Sequence, residues 1–436
     1  MATLSISEFS CLREATLNLA RINVIIGPQG SGKSVTTKLF YFFTEIMTNH
    51  SQYAERGDTF EEYKRHVAKQ FSIWFPASAW GPGRFNINYS AGDFTVRLLR
   101  KRSGHKLTDG VNVTFSDWFT SHYNNALNLF EEIRSTGDSN IESNAAASDA
   151  FQRAYKIRSV ITERAAKRLG SNFVGSQTFI PAGRAFFTSI GRIVAGFEQA
   201  GSLDPLTIKF ARLFANMRDR GSVRFGYRSP NVTTQFMQQR SDIMEKFFGG
   251  AVKFENDVEF VETLDGRKIP FSALSSGQQE LLPMWTLLDA YKHLDVILDR
   301  NSSDHSQLIY VEEPEAHLFP SAQSSLMEYM IGLIGSEKHP RGLVITTHSP
   351  YIMGKLNVFL KAGSLSRRKK RNTDINEVVP RECWLMESDI AAFAIKDGAL
   401  INLIDEDGLI DGTYLDQISE DISYQFSRLL QIESEI

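Results

Sequence analysis

One short segment constrains the fold of this chain more than any other. GPQGSGKS, residues 27–34, lies between the apolar run INVII and a helix-like run that begins at Val35. It matches the pattern G-x-x-x-x-G-K-[ST], in which glycines let a loop wrap a polyphosphate with its backbone N–H groups. The order strand, loop, helix points the positive end of the helix at the anion. We therefore expect an α/β fold that binds a nucleoside triphosphate.

The residue types of this loop suit that chemistry. Lys33 is expected to neutralise the β- and γ-phosphates of ATP, and Ser34 to offer its hydroxyl to Mg²⁺. A glycine-rich turn without a ligand is the alternative, which the flanking strand and helix disfavour. The other loop residues predicted to contact the nucleotide are Gly27, Pro28, Gln29, Gly30, Ser31, Gly32 and Val35.

Length and composition limit the class of protein. With 436 residues, of which 42% are hydrophobic, the chain is globular and long for a single core, so a second lobe or a large insertion is expected. The formal net charge of −3 argues against a generally basic nucleic-acid-binding protein but allows local basic patches. Cys11 and Cys383 show no metal-ligand spacing, and we expect two buried thiols in a reducing cytoplasm. No apolar run is long enough to span a bilayer, so no membrane partner is expected.

Periodicity predicts alternating helices and strands in the rest of the chain. A hairpin is expected in RFNINYSAGDFTVRLLRK, mainly helix from Ser116 to Leu169, and core strands at NFVGSQTFIPAGR, DHSQLIYVEEP and RGLVITTHSP. The polar segment SLSRRKKRNTD, residues 364–374, predicts an exposed loop. The C-terminal segment predicts an amphipathic helix docked on the core. Its apolar face consists of Leu415, Ile418, Ile422, Phe426 and Leu430.

A second segment with anion-binding character is LSSGQ, residues 274–278. Small residues again precede a predicted helix, so backbone N–H groups are free to meet an anion. A helix N-cap without a ligand explains the same residues equally well. The candidate contacts are Ser275, Ser276, Gly277 and Gln278.

Two strand ends supply candidate catalytic residues. LIYVEEPEAHL is a hydrophobic strand that delivers Glu312, expected to hold the Mg²⁺ shell, and Glu313, expected to orient the attacking water as a base. A strand that runs out into a charged turn is the alternative. LVITTHSP ends in His348, which is expected to contact the γ-phosphate, although a lone histidine is usually structural.

In this order the four motifs resemble the ABC-type ATPase core, with Walker A, signature, Walker B and H-loop. Ser276 stands in place of a signature glycine and Glu312 in place of an aspartate. The same two departures occur in RecF-like, SMC-like and OLD-like AAA-type ATPases. The segments EEPEAHLFP and THSP also resemble these ATPases more than they resemble transporter subunits. The separation of 241 positions from Lys33 to Leu274 also exceeds the separation typical of transporter subunits.

The resemblance implies the fold of an ABC-type P-loop ATPase head: α/β, with a mixed central sheet, flanking helices and an antiparallel β lobe, interrupted by a compact, mainly helical insertion. Residues 1–52 would form the N-terminal part of the head with Walker A, and 53–172 a β-hairpin and helical insertion. Residues 173–270 would continue both parts. Residues 271–436 would carry the signature, Walker B, the H-loop and the C-terminal helix.

The resemblance also implies cofactors and further site residues. FIPAGR resembles the IPA-x-R element of the OLD-like group, so Arg184 is expected to approach the nucleotide or to transmit its state; a turn at a strand end is the alternative. Gln177 is a weaker candidate for the Q-loop glutamine near the metal. ATP and Mg²⁺ are the implied cofactors, held between Walker A of one copy and the signature of another in a head-to-tail dimer or higher homo-oligomer.

The biological role follows from resemblance as well. Asp405 and Asp407 could belong to a TOPRIM nuclease, but the sequence DEDG favours a turn. The compact insertion resembles the ATPase subunits of PARIS anti-phage defence systems, and the Septu ATPase less closely. This implies a sensor or scaffold that holds a separate effector nuclease and answers a phage-encoded trigger. The alternative is a DNA-repair or chromosome-maintenance ATPase that clamps DNA with the basic runs at 98–106 and 367–371.

Overall fold

A computed structural model describes residues 2–136, 144–190, 203–219, 232–255, 258–297, 306–335, 340–367 and 372–434. The strands in these ranges are β1 (Thr3–Phe9), β2 (Leu12–Asn18), β3 (Ile22–Ile26), β4 (Asn86–Ala91), β5 (Phe94–Ser103), β6 (Lys106–Phe115), β7 (Val174–Ile180), β8 (Gly250–Glu255), β9 (Val258–Thr263), β10 (Lys268–Pro270), β11 (Ser306–Glu312), β12 (Arg341–Thr347), β13 (Ile390–Lys396) and β14 (Ala399–Asn402).

The helices in the same ranges are α1 (Lys33–Arg56), α2 (Phe60–Trp74), α3 (Asp117–Thr136), α4 (Asn144–Leu169), α5 (Ala185–Ile190), α6 (Pro205–Asp219), α7 (Thr234–Phe248), α8 (Ser276–Ile297), α9 (Pro320–Ile334), α10 (Pro350–Ser366), α11 (Asn372–Val378) and α12 (Thr413–Ser434). None of these described helices is both long and apolar enough to cross a membrane.

Eleven of the described strands form one sheet in the order β6-β5-β4-β1-β2-β14-β13-β3-β12-β11-β7. Strands β13, β3, β12, β11 and β7 run parallel to one another. Strands β2, β1, β4, β5 and β6 are paired antiparallel and form a lobe at the other side of the sheet. This mixed sheet with flanking helices and an antiparallel lobe confirms the predicted fold class.

The core lies on both faces of the sheet. All five residues of β3 are buried, as expected for a parallel strand that is covered by helices on both sides. Ile22, Val24 and Ile26 belong to a cluster that also contains side chains of α8, α9 and α10. Ile25 points the other way, into an aromatic-rich cluster shared with α1, α2, α3 and the antiparallel lobe.

The predicted hairpin is confirmed and extends the central sheet. Strands β4 and β5 pair around Gly92, whose φ of +60° is the left-handed conformation that a tight turn requires. The predicted boundary between residues 52 and 53 falls inside α1, which ends only at the left-handed Gly57. The division into four segments stays a prediction.

Three expectations about the chain's surface are wrong. The C-terminal helix forms, but Ile422, Phe426 and Leu430 are exposed, so this face does not dock on the core; the side chains of Leu415 and Ile418 lie outside the described part. Cys11 is exposed, because it occupies the turn between β1 and β2, whereas Cys383 is buried. The predicted loop at 364–374 is in part helical, since α10 runs to Ser366 and α11 begins at Asn372.

Candidate nucleotide site

The candidate site lies where the parallel strands end. The register places Ile26 of β3 beside Thr347 of β12, and Thr346 beside Glu312 of β11. Strand β7 ends beside Val311, one residue earlier. The carboxyl ends of neighbouring parallel strands meet at one edge of a sheet, which is where α/β proteins bind ligands. The phosphate loop, both Walker B carboxylates, His348 and Arg184 therefore gather at one edge.

The backbone of the phosphate loop has the positive φ angles that its glycines allow. Gly27, Gly30 and Gly32 have φ of +155°, +74° and +110°, and α1 begins directly after Gly32. No side chain caps this helix, so its first N–H groups are available to an anion. Pro28 and Gln29 are exposed on the loop. Val35 packs against the aromatic-rich core, so only its backbone can reach a nucleotide.

Lys33 closes the loop on itself. Its buried ammonium group donates hydrogen bonds to the carbonyl oxygens of Gly27, at 2.7 Å, and Pro28, at 2.9 Å. Burial lowers the pKa of Lys33, while the carboxylate of Glu313 opposes this. A polyphosphate would replace the two carbonyl groups as the partner of the ammonium group, and its anionic oxygens would be stronger acceptors than the neutral carbonyl oxygens.

Glu312 and Ser34 have the character of a Mg²⁺ site. Glu312 is buried, and its Oε1 has no hydrogen-bond partner among the described residues. Burial raises the pKa of Glu312, and the neighbouring Ser34 hydroxyl opposes this shift. Mg²⁺ prefers oxygen ligands and keeps several waters, so one carboxylate, one hydroxyl and phosphate oxygens suffice. The unpartnered buried oxygen fits such an ion.

Glu313 differs from the neighbouring Glu312 in its backbone conformation and in its exposure to solvent. Its φ of +43° lies in the left-handed region, which is unusual for a residue with a side chain. Its backbone N–H donates to the Thr346 carbonyl at 2.9 Å, which holds this conformation. The carboxylate is 40% exposed, and its Oε1 lies 3.4 Å from Nε2 of His348, too poorly aligned for a hydrogen bond. An accessible carboxylate beside an imidazole can orient a water for attack.

Glu315 holds the H-loop and was not predicted. Its Oε1 accepts hydrogen bonds from the backbone N–H of His348, at 2.6 Å, and from the Thr347 hydroxyl, at 2.7 Å. The turn after Walker B is thereby tied to the strand end that carries His348. The sequence signal was a further carboxylate in EEPEAH, only two residues after Glu313.

Arg184 is enclosed behind the site. Its side chain is fully buried and donates to the carbonyl oxygens of Glu312, at 2.7 Å, and Glu313, at 3.1 Å. Its backbone N–H donates to Oε2 of Glu280 at 2.8 Å. Carbonyl groups surround its guanidinium, which does not face solvent, and its approach to the nucleotide stays a prediction. The other expectation, transmission of the nucleotide state, stays open.

The signature segment is a capped helix start. Ser275 Oγ and Gln278 form reciprocal hydrogen bonds across the first turn of α8, as in a capping box. Ser275 and Ser276 are exposed. A Cβ on Gly277 would lie 2.6 Å from the carbonyl oxygen of His317, so glycine is required for this close approach. The N-cap interpretation is confirmed, and it leaves the exposed N-terminus free for an anion.

Two weaker candidates lie elsewhere. Gln177 pairs with Leu308, four residues before Glu312, which is about 13 Å along the strand. Its amide donates to the Tyr41 carbonyl at 2.9 Å, so the structure does not bring it to the metal group. Asp405 accepts hydrogen bonds from the N–H groups of Asp407 and Leu409, both at 2.9 Å, which confirms the predicted turn.

Part of this site lies in a segment that is similar to a known family. Residues 223–353, which contain the signature, Walker B and His348, match the family model described as AAA ATPase domain. This segment of the chain is similar to that family. No curated protein is significantly similar in sequence.

Two solved structures are similar to this chain. One is an SMC head domain from Thermotoga maritima, with 13% identity over 92% of this chain and 97% of the other, and a TM-score of 0.33. The second is an SmcHead bound to the C-winged helix domain of ScpA, with 11% identity over 93% and 98%, and a TM-score of 0.39. At these values the structural likeness is weak.

Proposed function

We propose that the chain hydrolyses ATP at a site completed by a second copy of itself. The proposal depends on the arrangement of two parts of the chain. One edge of the sheet brings together Lys33, Ser34, Glu312 and Glu313. The exposed start of α8 contacts other parts of the same copy. In the same copy, Gln278 donates to the Phe248 carbonyl at 3.0 Å, and Gly277 lies against His317. None of these neighbours belongs to the phosphate loop, so the signature is free for a nucleotide held by another copy.

Each residue then has a definite task. Lys33 and the N–H groups at the start of α1 bind the phosphates, and Ser34 and Glu312 hold Mg²⁺, which when bound neutralises charge on the phosphates. Glu313 orients a water and accepts its proton, and His348 lies beside that carboxylate to contact the γ-phosphate. Ser275 and the first N–H groups of α8 approach the same phosphate from the second copy.

Exposed apolar side chains at this edge support an interface. Phe319 is 77% exposed just after Walker B, and Tyr351 is 55% exposed three residues after His348. Large apolar groups that remain in solvent beside a polar site are typical of surfaces that another protein covers. A second copy that brings its signature to the phosphates would cover them.

Complementation between two inactive variants tests the shared site. Lys33→Ala removes the phosphate ligand, and Ser276→Asp places a negative charge where the signature would meet the γ-phosphate. Aspartate in the first turn favours the helix itself, so the variant should fold. Gly277 is unsuitable, because any side chain there collides with His317 in the same copy. Ser276→Asn is the neutral control.

Each inactive variant alone should lack ATPase activity, and the mixture should regain part of it through one intact site per dimer. The Ser276→Asn variant should stay active. No recovery in a mixture whose mixed assembly is proven by mass would contradict hydrolysis between copies.

For the biological role we propose a cytoplasmic sensor or scaffold of an anti-phage defence system, which holds a separate effector nuclease and releases it on a phage trigger. The motifs and compact insertion that resemble such ATPases support this role. ATP occupancy would bias the holding and releasing states. Deletion of the gene should raise phage sensitivity, and the tagged chain should capture a nuclease encoded beside it. Unchanged sensitivity, or a captured neighbour without nuclease activity, would reject this role.

A DNA clamp is the second candidate, and the tip of the β5–β6 hairpin favours it. Lys101, Arg102 and Lys106 are all exposed there. Cations at a hairpin tip suit phosphate contacts, whose affinity falls steeply with salt. Exchange of the three residues for glutamate should reduce the salt slope of DNA binding by about three units if each contacts one phosphate. Absence of DNA binding at low salt would eliminate this candidate.

A further inference from the structure

Helix α8, which begins at the signature, carries three buried carboxylates along its length. Each faces a buried arginine from another part of the fold, and burial of such ion pairs has a large desolvation cost. The pairs are Arg184 with Glu280, Arg240 with Asp289, and Arg341 with Asp295.

The pair nearest the signature differs from the other two in geometry. Arg341 meets Asp295 through two hydrogen bonds of 2.6 Å, and Arg240 meets Asp289 at 2.8 Å. In the Arg184 pair the closest charged atoms are 3.6 Å apart. The Arg184 guanidinium is directed at backbone carbonyl groups instead of at its carboxylate. The Arg184–Glu280 pair is therefore not held by direct hydrogen bonds between the guanidinium and the carboxylate.

Those carbonyl groups belong to the catalytic strand end. Arg184 Nη1 donates to the backbone carbonyl oxygen of Glu312 at 2.7 Å, and Nη2 donates to that of Glu313 at 3.1 Å. Nε donates to the backbone carbonyl oxygen of Glu280 at 3.2 Å. Glu280 in turn accepts the backbone N–H of Arg184 at 2.8 Å. One side chain thus joins the first turns of α8 to the backbone of both Walker B carboxylates.

The carboxylate of Glu280 is a close counter-charge for Arg184. Burial lowers the pKa of Arg184, and the Glu280 carboxylate is the largest influence that opposes this. Without that charge a fully buried guanidinium would lack its nearest counter-charge and would tend to shift towards solvent or other anions.

Glu313 is sensitive to such a shift. Its backbone has a φ of +43°, and structures hold such conformations only where surrounding contacts fix them. Arg184 fixes the carbonyl side of this residue and the Thr346 carbonyl fixes the N–H side. A displacement of Arg184 would turn the Glu313 carboxylate away from the water that it orients. Glu280 lies one helical turn after Ser276, so a force on the signature reaches it through a rigid element.

We propose that Arg184 and Glu280 are positioning residues through which the signature end of α8 sets the direction of the Glu313 carboxylate. The inference rests on the proposed ATP sandwich and adds its regulation. In such a dimer the signature of one copy contacts the ATP of the other, whereas Glu313 acts on the ATP of its own copy. The link therefore couples the two sites, and ATP in one site promotes hydrolysis in the other.

The test is ATP turnover as a function of ATP concentration in the full chain. Glu280→Gln keeps an oxygen that accepts the Arg184 N–H but removes the charge. Its kcat should fall about tenfold, while ATP affinity stays within about twofold and the Hill coefficient falls from near two to near one. Glu280→Asp, which keeps the charge but is shorter, should move both quantities in the same direction by a smaller factor.

Asp289→Asn is the matched control, because it removes the charge of another buried pair on the same helix. It should lower the melting temperature and leave kcat and the Hill coefficient unchanged. An equal loss of kcat in Asp289→Asn, or parental kcat and cooperativity in Glu280→Gln, would overturn the inference. Failure of the proposed function would look different: the unmodified chain would lack turnover, or the complementing variants would show no recovery on mixing.

Discussion

The edge of the parallel strands and the antiparallel lobe differ in the kinds of side chain that they bring together. At the edge, Glu312, Glu315 and His348 each keep a buried polar atom without a hydrogen-bond partner among the described residues, and Glu313 and His317 have positive φ. In the lobe, aromatic rings pack on one another. Ring centroids in that cluster lie 4.9 to 5.9 Å apart among Phe9, Phe71, Phe75, Trp80 and Phe85.

The difference separates two kinds of residue. Buried polar atoms without a partner reduce stability, and those at the edge lie beside the phosphate loop, where a nucleotide and Mg²⁺ would supply partners. Aromatic burial stabilises the fold without offering any chemistry. Substitutions at the edge should therefore change nucleotide binding and turnover, and substitutions in the lobe should change the free energy of unfolding.

The largest effect is expected at Lys33. Lys33→Ala removes the loop's cation and should abolish measurable ATP binding, while the melting temperature of the free protein stays within a few degrees. Lys64→Ala, in helix α2 beside the lobe, removes a lysine that pairs with Glu61 on the surface and should change neither quantity. ATP binding by calorimetry and thermal unfolding would check both. Full binding by Lys33→Ala would remove the basis for assigning the loop to phosphate.

A loss of stability without loss of binding is expected at Phe71. This residue of α2 is fully buried against the lobe, and Phe71→Ala should reduce the free energy of unfolding by about 3–5 kcal/mol. Ile73→Ala on the same helix is the control, because Ile73 is 56% exposed. Urea unfolding measures the first quantity, and ATP affinity well below the melting temperature measures the second. A weakened ATP affinity with unchanged stability would break the comparison.

A smaller effect concerns pH. Burial, with a contribution from His122, lowers the pKa of His50 to about 3; burial also lowers the pKa of His122 to about 4, with a contribution from Arg164. Below pH 6.5 the unfolded chain binds protons at these imidazoles and the folded chain does not, so stability falls as pH falls towards 4. Each histidine contributes about 1.4 kcal/mol per pH unit well inside that window.

His50→Phe should therefore flatten the loss of stability between pH 6 and pH 4.5 by about 1 kcal/mol per pH unit. Phe119→Leu alters the neighbouring ring, 5.5 Å from His50, and should lower stability without changing the slope. The measurement is the urea midpoint at several pH values. Equal slopes in His50→Phe and the unmodified chain would contradict a neutral buried imidazole.

The sequence predicts the edge better than the contacts behind it. Walker A and Walker B are each a contiguous segment of the sequence, so their geometry depends on local rules for glycines, strand ends and helix starts. The link between Arg184 and Glu280 joins residues 96 positions apart, so no local pattern reveals it. A single carboxylate in the otherwise uncharged run LSSGQQELLPMW was the only available signal.

The errors on the surface have a related cause. The spacing of Ile422, Phe426 and Leu430 predicts an apolar helical face correctly, but spacing does not say what covers that face. Cys11 is apolar by type yet lies in a two-residue turn, where its position outweighs its preference for burial. Gln177 lies on the expected strand, but the register places it too early to reach the strand end.

The measurement that tests the central claim most directly is ATP retention and turnover in Glu313→Gln beside Glu312→Gln, with Mg²⁺ present. Glutamine at 313 keeps size and hydrogen bonding but cannot accept the proton, so ATP should stay bound while hydrolysis falls about 10²-fold or more. Glutamine at 312 is a poorer ligand for a hard cation, so Mg²⁺-dependent binding itself should weaken. Parental turnover in Glu313→Gln, or the same defect in both variants, would contradict the assignment of this edge as the site of ATP hydrolysis.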